Sequence, residues 1–254
     1  MIYAICNQKG GQGKTTTAAA LFDGLPGNNL AVDMDPQRNL TIYIDIEQAT
    51  AKNLKGSYEV IAGELPAEKA IIQTPRGAII KASPALAVAD IEIKDSRRLF
   101  GLKRALASIK GKYDNIIIDC PPALNILLIN ALEAAQQIII PMTPDAFSYV
   151  GLTQLQDTIT EARKQNPELK AGILFTKFNP RTKLNNRLTE GIKQYAAIHG
   201  IKVYNTAIRE SVAIREAQLF NETIYTYAPQ SNAIKDYTEF IKELTNERGK
   251  HNEK

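Results

Sequence analysis

Cysteine and charge of one sign are both scarce in this 254-residue chain. Only Cys6 and Cys120 are present. Neither has a partner at metal-ligand spacing, so they supply neither a zinc site nor a disulfide framework. Both sit in or beside apolar runs that read as strands, which predicts buried, reduced thiols as in a cytosolic protein. The 31 basic and 27 acidic residues leave a net charge of +4. An excess that small does not by itself indicate nucleic acid. No apolar run approaches the roughly 18 residues of a membrane span. The opening MIYAIC leads straight into a glycine-rich turn, so no leader is expected. Repeats, low-complexity stretches and linkers are also missing. The 44% hydrophobic and 23% charged content suits an ordinary soluble protein, long enough for one large α/β domain and short for two. That domain is expected over residues 1–246, with a polar, frayed tail over 247–254.

What the chain does have is alternation. IYAIC (2–6), LAVDMD (30–35), GAIIKA (77–82), YDNIIID (113–119), QQIIIPM (136–142), AGILFT (171–176) and IKVYNT (201–206) read as strands. Several are apolar on successive residues, the pattern of parallel strands buried on both faces. Helical patterns lie between them. Leu184, Leu188, Ile192 and Tyr195 share one helix face, as do Leu152, Leu155 and Ile159. The fold class this implies is α/β, a doubly wound, mostly parallel sheet flanked by helices. Charge is also unevenly placed. Residues 170–215 hold nine Lys/Arg against two Glu, so a basic surface is expected on the C-terminal half.

Residues 7–16, NQKGGQGKTT, carry the clearest chemistry. Phosphate binding needs N–H donors that converge on an anion. Glycine permits this because it tolerates positive φ and lets the backbone approach closely. A following helix adds its positive N-terminal end. Gly10, Gly11 and Gly13 supply the turn, with Gln12 between them, and a helix from Lys14 supplies the dipole. Lys14 is expected to reach the β- and γ-phosphates, with Thr15 holding Mg²⁺ and Thr16 beside it. The relaxed P-loop pattern needs glycine at position 8, where this chain has Gln8; the match is to a two-lysine form, KGGxGKT, with Lys9 as the second lysine. Asp119, at the end of IIIDCPP, is the expected carboxylate near Mg²⁺. Asp33 and Asp35 end another strand in VDMDP. Ligands in such sheets bind at the carboxyl ends of strands.

These blocks resemble, in order, those of ParA-type partition ATPases of the short Soj-like kind, which lack an N-terminal DNA-reading domain. NQKGGQGKTTT, VDMDPQ, YDNIIIDCPPAL, NALEAAQQIIIPMTPDAFSYVGL, GILFTKFNPRT and YAPQSNAIKDYTEFIKEL carry the resemblance, over residues 1–245. It implies an ATP- and Mg²⁺-dependent hydrolase that forms a face-to-face homodimer. Lys9 would be the signature lysine that crosses to the partner's phosphates. Asp35 would position or polarise the attacking water, and Asp33 would support the Mg²⁺ shell with Thr15 and Asp119. Asn179, Arg209 and Ser211 would complete the nucleotide-binding set. The ATP dimer would bind double-stranded DNA without sequence preference, a ParB-like centromere-binding protein would stimulate hydrolysis, and the protein would be cytoplasmic and nucleoid-associated.

The chain departs from that pattern in places. Arg38 stands where the family has glycine after DPQ. The helix after the P-loop ends about one turn early, near Gly24–Leu25–Pro26–Gly27. The family's I-P-R-N-V segment, whose Pro and Asn contact adenine, reads Ile208-Arg209-Glu210-Ser211-Val212 here. This leaves Arg209 to stack on the base and Ser211 to hydrogen-bond it. Ala213 stands where an arginine often follows, with Arg215 as a replacement. DNA-contact candidates are Arg181, Lys183, Arg187, Lys202, Arg209, Arg215 and Lys235. Three rival readings are weaker. A MinD-like membrane cycle needs a basic amphipathic C-terminal helix, and this end mixes acids with bases. An iron–sulfur reductase needs cluster cysteines that Cys6 and Cys120 cannot provide. A small-molecule ligase needs a substrate constellation that the sequence does not display.

Overall fold

The computed structural model describes residues 1–50, 55–94, 98–179 and 183–252. Its strands are the isoleucine-rich runs. They are β1 (Ile2–Ile5), β2 (Asn29–Asp33), β3 (Ile71–Thr74), β4 (Gly77–Ile80), β5 (Asn115–Asp119), β6 (Gln137–Met142), β7 (Lys170–Phe178) and β8 (Lys202–Arg209). They form one sheet in the order β3-β4-β2-β5-β1-β6-β7-β8. Every neighbouring pair is parallel except β3 and β4. The successive apolar residues follow from burial on both faces. Ala4, Val32, Ile118 and Ile140 pack on one side, and Ile5, Ala31, Ile117 and Ile139 on the other.

The helices are α1 (Lys14–Gly24), α2 (Asn39–Ile44), α3 (Ile46–Thr50), α4 (Ser57–Ala62), α5 (Ala67–Ala70), α6 (Ala89–Glu92), α7 (Gly101–Ala107), α8 (Ile126–Ala134), α9 (Ala146–Gln165), α10 (Lys183–Ile198), α11 (Val212–Leu219), α12 (Ile224–Tyr227) and α13 (Asn232–Asn252). Those on the Ala4 side include α4 and α7 to α10; those on the Ile5 side include α1, α2 and α11 to α13. The sheet is doubly wound, as its sequence pattern implies. Leu152, Leu155 and Ile159 of α9 are all buried. Ile192 of α10 is buried, with Leu188 and Tyr195 half-buried, while the Leu184 side chain lies outside what the structure describes. Cys6 and Cys120 are fully buried, and burial pushes the Cys6 thiol up to about 12 and the Cys120 thiol well above its ordinary value.

Two features were not legible beforehand. β3 pairs antiparallel with β4 through a tight turn in which Thr74 Oγ1 donates to the Gly77 carbonyl and accepts from the Arg76 N–H. Its four residues, IIQT, are too short to show a period. At the other end, α13 does not stop at 246 but continues to Asn252, so six residues of the expected frayed tail are helical in backbone. The early end of α1 is as anticipated: Leu25 leaves the helix in extended conformation, and Pro26 follows. Gly24 also lies close against Tyr225 of α12 and Ile241 of α13, whose side-chain ends would have to shift to admit a Cβ there.

The β1–β5 register pairs Ile5 with Asp119, and the β2–β5 register pairs Asp33 with Asp119. The carboxyl ends of three strands therefore lie side by side. Elsewhere one buried acid is poorly served. Glu133 of α8 is 4% exposed, its Oε2 has no hydrogen-bond partner, and Lys103 is 3.9 Å away. Burial raises its carboxyl, with Lys103 opposing. A raised carboxyl costs nothing below the ordinary range and increasingly destabilises the fold as pH rises through the raised value. Glu133→Gln should therefore raise the melting temperature by roughly 2–4 °C near neutral pH and by less at acid pH. Thermal melts at two pH values check this; an equal or negative shift at both would contradict it.

Candidate functional site

The turn from Asn7 to Gly13 joins β1 to α1. Gly11 and Gly13 have φ of 72° and 85°, the left-handed region that glycine enters without strain. Gly13 caps α1 with no side-chain hydrogen bond, and no acid stands in the first turn. The N-terminal N–H groups of α1 are thus left for an anion. They open on a cavity of about 650 Å³ lined at this end by Gly10, Gly11, Gly13, Lys14, Thr15 and Thr16. Lys14 is 7% exposed, and its ammonium donates to the Lys9 carbonyl at 3.3 Å.

The carboxylates occupy three different situations. Asp119 is fully buried; Thr15 Oγ1 donates to its Oδ2 at 2.7 Å, while Oδ1 has no partner. Burial pushes Asp119 well up, the charge of Asp33 adds to this, and Thr15 and Lys14 oppose it. An unpartnered buried oxygen beside a threonine hydroxyl fits a hydrated Mg²⁺. Asp35 is 7% exposed and lines the cavity; its Oδ1 accepts from the Gln37 N–H at 2.9 Å. Asp33, like Asp119, is not itself part of the cavity lining. Its Oδ1 accepts from the Asp35 N–H, and its Oδ2 from both the N–H and the hydroxyl of Thr41. Burial raises Asp33 to about 6 against those bonds. Its role here is to hold the loop carrying Asp35 to α2.

Two expected nucleotide ligands point away from the cavity. Gln12 is buried, and its Oε1 accepts from the Thr143 N–H at 2.7 Å and the Ser148 hydroxyl at 3.2 Å. Gln12 is not part of the cavity lining. Lys9 lies outside the lining and pairs with both oxygens of Asp145 at 2.8 and 3.0 Å. Asp145 caps α9 and also accepts from the Ser148 N–H. Burial raises the Asp145 carboxyl, but its bonds to Lys9 and Ser148 outweigh that and hold it below its usual range. Arg38 adopts φ of 62° at the N-cap of α2, which for a non-glycine residue costs about 1–2 kcal/mol. Its guanidinium donates to the Ala49 carbonyl of α3 at 2.8 Å.

At the far end, Arg209 and Ser211 line the cavity as expected, and so does Arg215, which sequence reading offered as a DNA contact. Asn179 follows β7 and is exposed outside the lining. Sequence reading missed Lys177, at φ of 49°, and Tyr43, Gln218 and Tyr237. Lys177 and Tyr237 stand in blocks that carry the family resemblance without being singled out there, and Tyr43 and Gln218 stand in none; the packing of α2, β7, α11 and α13 brings the four together. Gln218 reaches across to Thr16 Oγ1 at 3.3 Å. The DNA candidates do not form one helix face. Lys202 pairs with Glu243, and Arg209 with Asp236. Arg187 and Lys235 are exposed, on α10 and α13, which cover opposite faces of the sheet beside β8. Lys183 begins α10 but its side chain is not described, and Arg181 lies outside the described residues.

A phosphate-cradling turn after β1, a buried lysine, and a threonine in the first turn of α1 bonded to an aspartate at the end of β5 define a P-loop nucleoside triphosphatase. The AAA domain family's sequence profile matches residues 1–171. The chain is 37% identical over 251 residues to the sporulation initiation inhibitor protein Soj of Bacillus subtilis, covering 96% of this chain and 97% of that one. A putative plasmid partition protein of Borrelia burgdorferi, solved with AMPPNP, superposes with a TM-score of 0.82 at 25% identity, covering 97% and 98% of the two chains. A structure titled cobyrinic acid a,c-diamide synthase of Mycobacterium smegmatis, with bound ADP and magnesium, gives 0.81 at 29% identity, covering 96% and 93%. The chain belongs to the ParA/Soj-type family of P-loop ATPases.

Thr41 should be the weak point of the Asp33 cluster, because its hydroxyl also accepts from the Ala82 N–H at 3.1 Å. Thr41→Val strands the Ala82 N–H and takes from Asp33 Oδ2 one of its two donors, which should cost about 1–3 kcal/mol. Urea denaturation measures this; a loss below about 0.5 kcal/mol would mean that water or relaxation replaces the hydroxyl.

Proposed function

We propose that this protein is an ATP-timed dimer switch for DNA partition. ATP and Mg²⁺ occupy the cavity. Lys14 and the N–H groups of Gly10 to Thr16 hold the phosphates. Thr15 and Asp119 hold the Mg²⁺, which offsets the phosphate charge and that of the buried carboxylates. Asp35, open to the cavity, orients the water that attacks the γ-phosphorus. Catalysis of this kind is mostly positioning and charge stabilisation.

The observation that carries the dimer reading is the place of Lys9. It is the second lysine of the loop, yet it sits outside the cavity on Asp145, with both side chains about one-third exposed. Such a pair contributes about 0–1 kcal/mol. That is little to give up for a charge-assisted bond to phosphate in a drier interface. Exchange of Asp145 for a partner subunit's γ-phosphate would make dimerisation depend on ATP.

The readout follows from charge. The basic residues beside β8 give the ATP dimer affinity for double-stranded DNA without base reading. A ParB-like centromere-binding protein stimulates hydrolysis and releases it. In this reading the protein works in the cytoplasm on the nucleoid.

Light scattering of Asp35→Ala with Mg·ATP should show a stable dimer, and with ADP a monomer. A monomer in both would remove the sandwich model. Lys9→Ala should retain ATP binding while losing the dimer; normal dimerisation would rule out the trans role. ATP-dependent binding to arbitrary duplex DNA should fall steeply with salt, at about one power of concentration per phosphate contacted. Gel shifts across a salt series check this, and salt-insensitive binding would exclude simple phosphate neutralisation.

A further inference from the structure

The nucleoside end of the cavity is built around an ion pair. Arg209 ends β8, and its side chain lines the cavity. Asp236 of α13 is not part of the lining but grips Arg209 firmly. Nε donates to Oδ2 at 2.9 Å and to Oδ1 at 3.2 Å, and Nη2 donates to Oδ1 at 2.6 Å. The Arg209 backbone N–H also donates to Oδ2, at 2.9 Å. The Asp236 side chain is 12% exposed, and that of Arg209 is 41% exposed.

Two side-chain donors in a fork fix both the position and the plane of a guanidinium. They also consume the Nε–Nη2 edge. Those donors are no longer available to read the hydrogen-bonding edge of a base. The flat faces remain, and a guanidinium face stacks on aromatic rings. Ile208 and Ile214 line the cavity near it in sequence, giving this end apolar walls. A carboxylate in contact also offsets the positive charge, which makes Arg209 a poor candidate for a phosphate ligand.

We propose that Asp236 is a positioning residue that holds Arg209 flat as a stacking plate for the nucleobase, so that the base is gripped by its face. The proposal rests on the reading of the cavity as a nucleotide site and names how this chain grips the base there. Arg209 then contributes through the base, and purines with their larger faces are held better than pyrimidines.

Calorimetric titration of the full chain with Mg·ATP, Mg·CTP and Mg·tripolyphosphate separates base from phosphate. Arg209→Lys keeps the charge and loses the plane; Asp236→Asn keeps the shape and loses the charged grip. Each should weaken ATP binding about three- to tenfold and narrow the preference for ATP over CTP. Neither should change tripolyphosphate binding, which a general loss of structure would reduce as well. ATP affinity unchanged in Arg209→Lys overturns the plate. Equal losses for ATP and tripolyphosphate assign Arg209 to phosphate and also overturn it. If the unaltered protein binds neither ligand, the nucleotide reading itself fails; if it binds ATP and both variants match it, only the plate fails.

Discussion

Three carboxylates gathered at the ends of two adjacent strands govern the active end of this molecule. Asp33 and Asp119 are fully buried and Asp35 nearly so. Burial away from water raises both Asp33 and Asp119, and the like charges beside each of them add to it. Something must supply compensating positive charge or donors. Asp33 obtains it from the protein, through Thr41 and the Asp35 N–H. Asp119 obtains only Thr15, with Lys14 nearby, and one of its oxygens is left over. The distinction separates a carboxylate whose bonds build the loop from one that keeps an oxygen to spare.

The same constraint explains how the loop elements are divided between inside and outside. Lys14 is buried within the cavity, where its charge acts on the carboxylates and would act on phosphate. Lys9 is turned away to Asp145, so its ammonium does not join that of Lys14 in the cavity. Gln12 and Asn7 anchor the turn to the β6 end through Thr143, Ser148 and Pro141. The P-loop is thus tied to the next strand and helix along the sheet. A rearrangement of Lys9 would be felt first at the N-terminus of α9.

Much of this was legible in the sequence because its signals are local. Parallel strands buried on both faces announce themselves as Ile and Val runs, and a glycine-rich turn followed by Lys-Thr-Thr announces an anion site. The doubly wound sheet and the placement of Lys14, Thr15, Asp35 and Asp119 follow from those signals. Asp33 was harder. An aspartate at a strand end looks the same whether its oxygens face a metal or a threonine eight residues on, and only the path of α2 decides. Tyr43, Lys177 and Gln218 were illegible for a related reason. They reach the cavity from separate elements, and no spacing in the chain encodes their meeting. Charge counts along a chain also ignore which side of the sheet each helix covers: α10, with Arg187, and α13, with Lys235, lie on opposite faces.

The departures from the family pattern share a physical character. Arg38 stands where glycine is expected, and it accepts a left-handed backbone that glycine would adopt freely. Arg209 stands where proline is expected, at the nucleoside end. Neither guanidinium is left to solvent alone: one is bonded to the Ala49 carbonyl, the other forked on Asp236. In both places a residue valued for backbone shape is replaced by one that shapes the site through an anchored side chain. For Arg38 the bond to α3 opposes the strain of positive φ, at roughly 1 kcal/mol for each. The loop can therefore hold the same path while gaining a tether that glycine lacks. Any movement of the Asp35 loop must therefore either carry α3 along or break that tether.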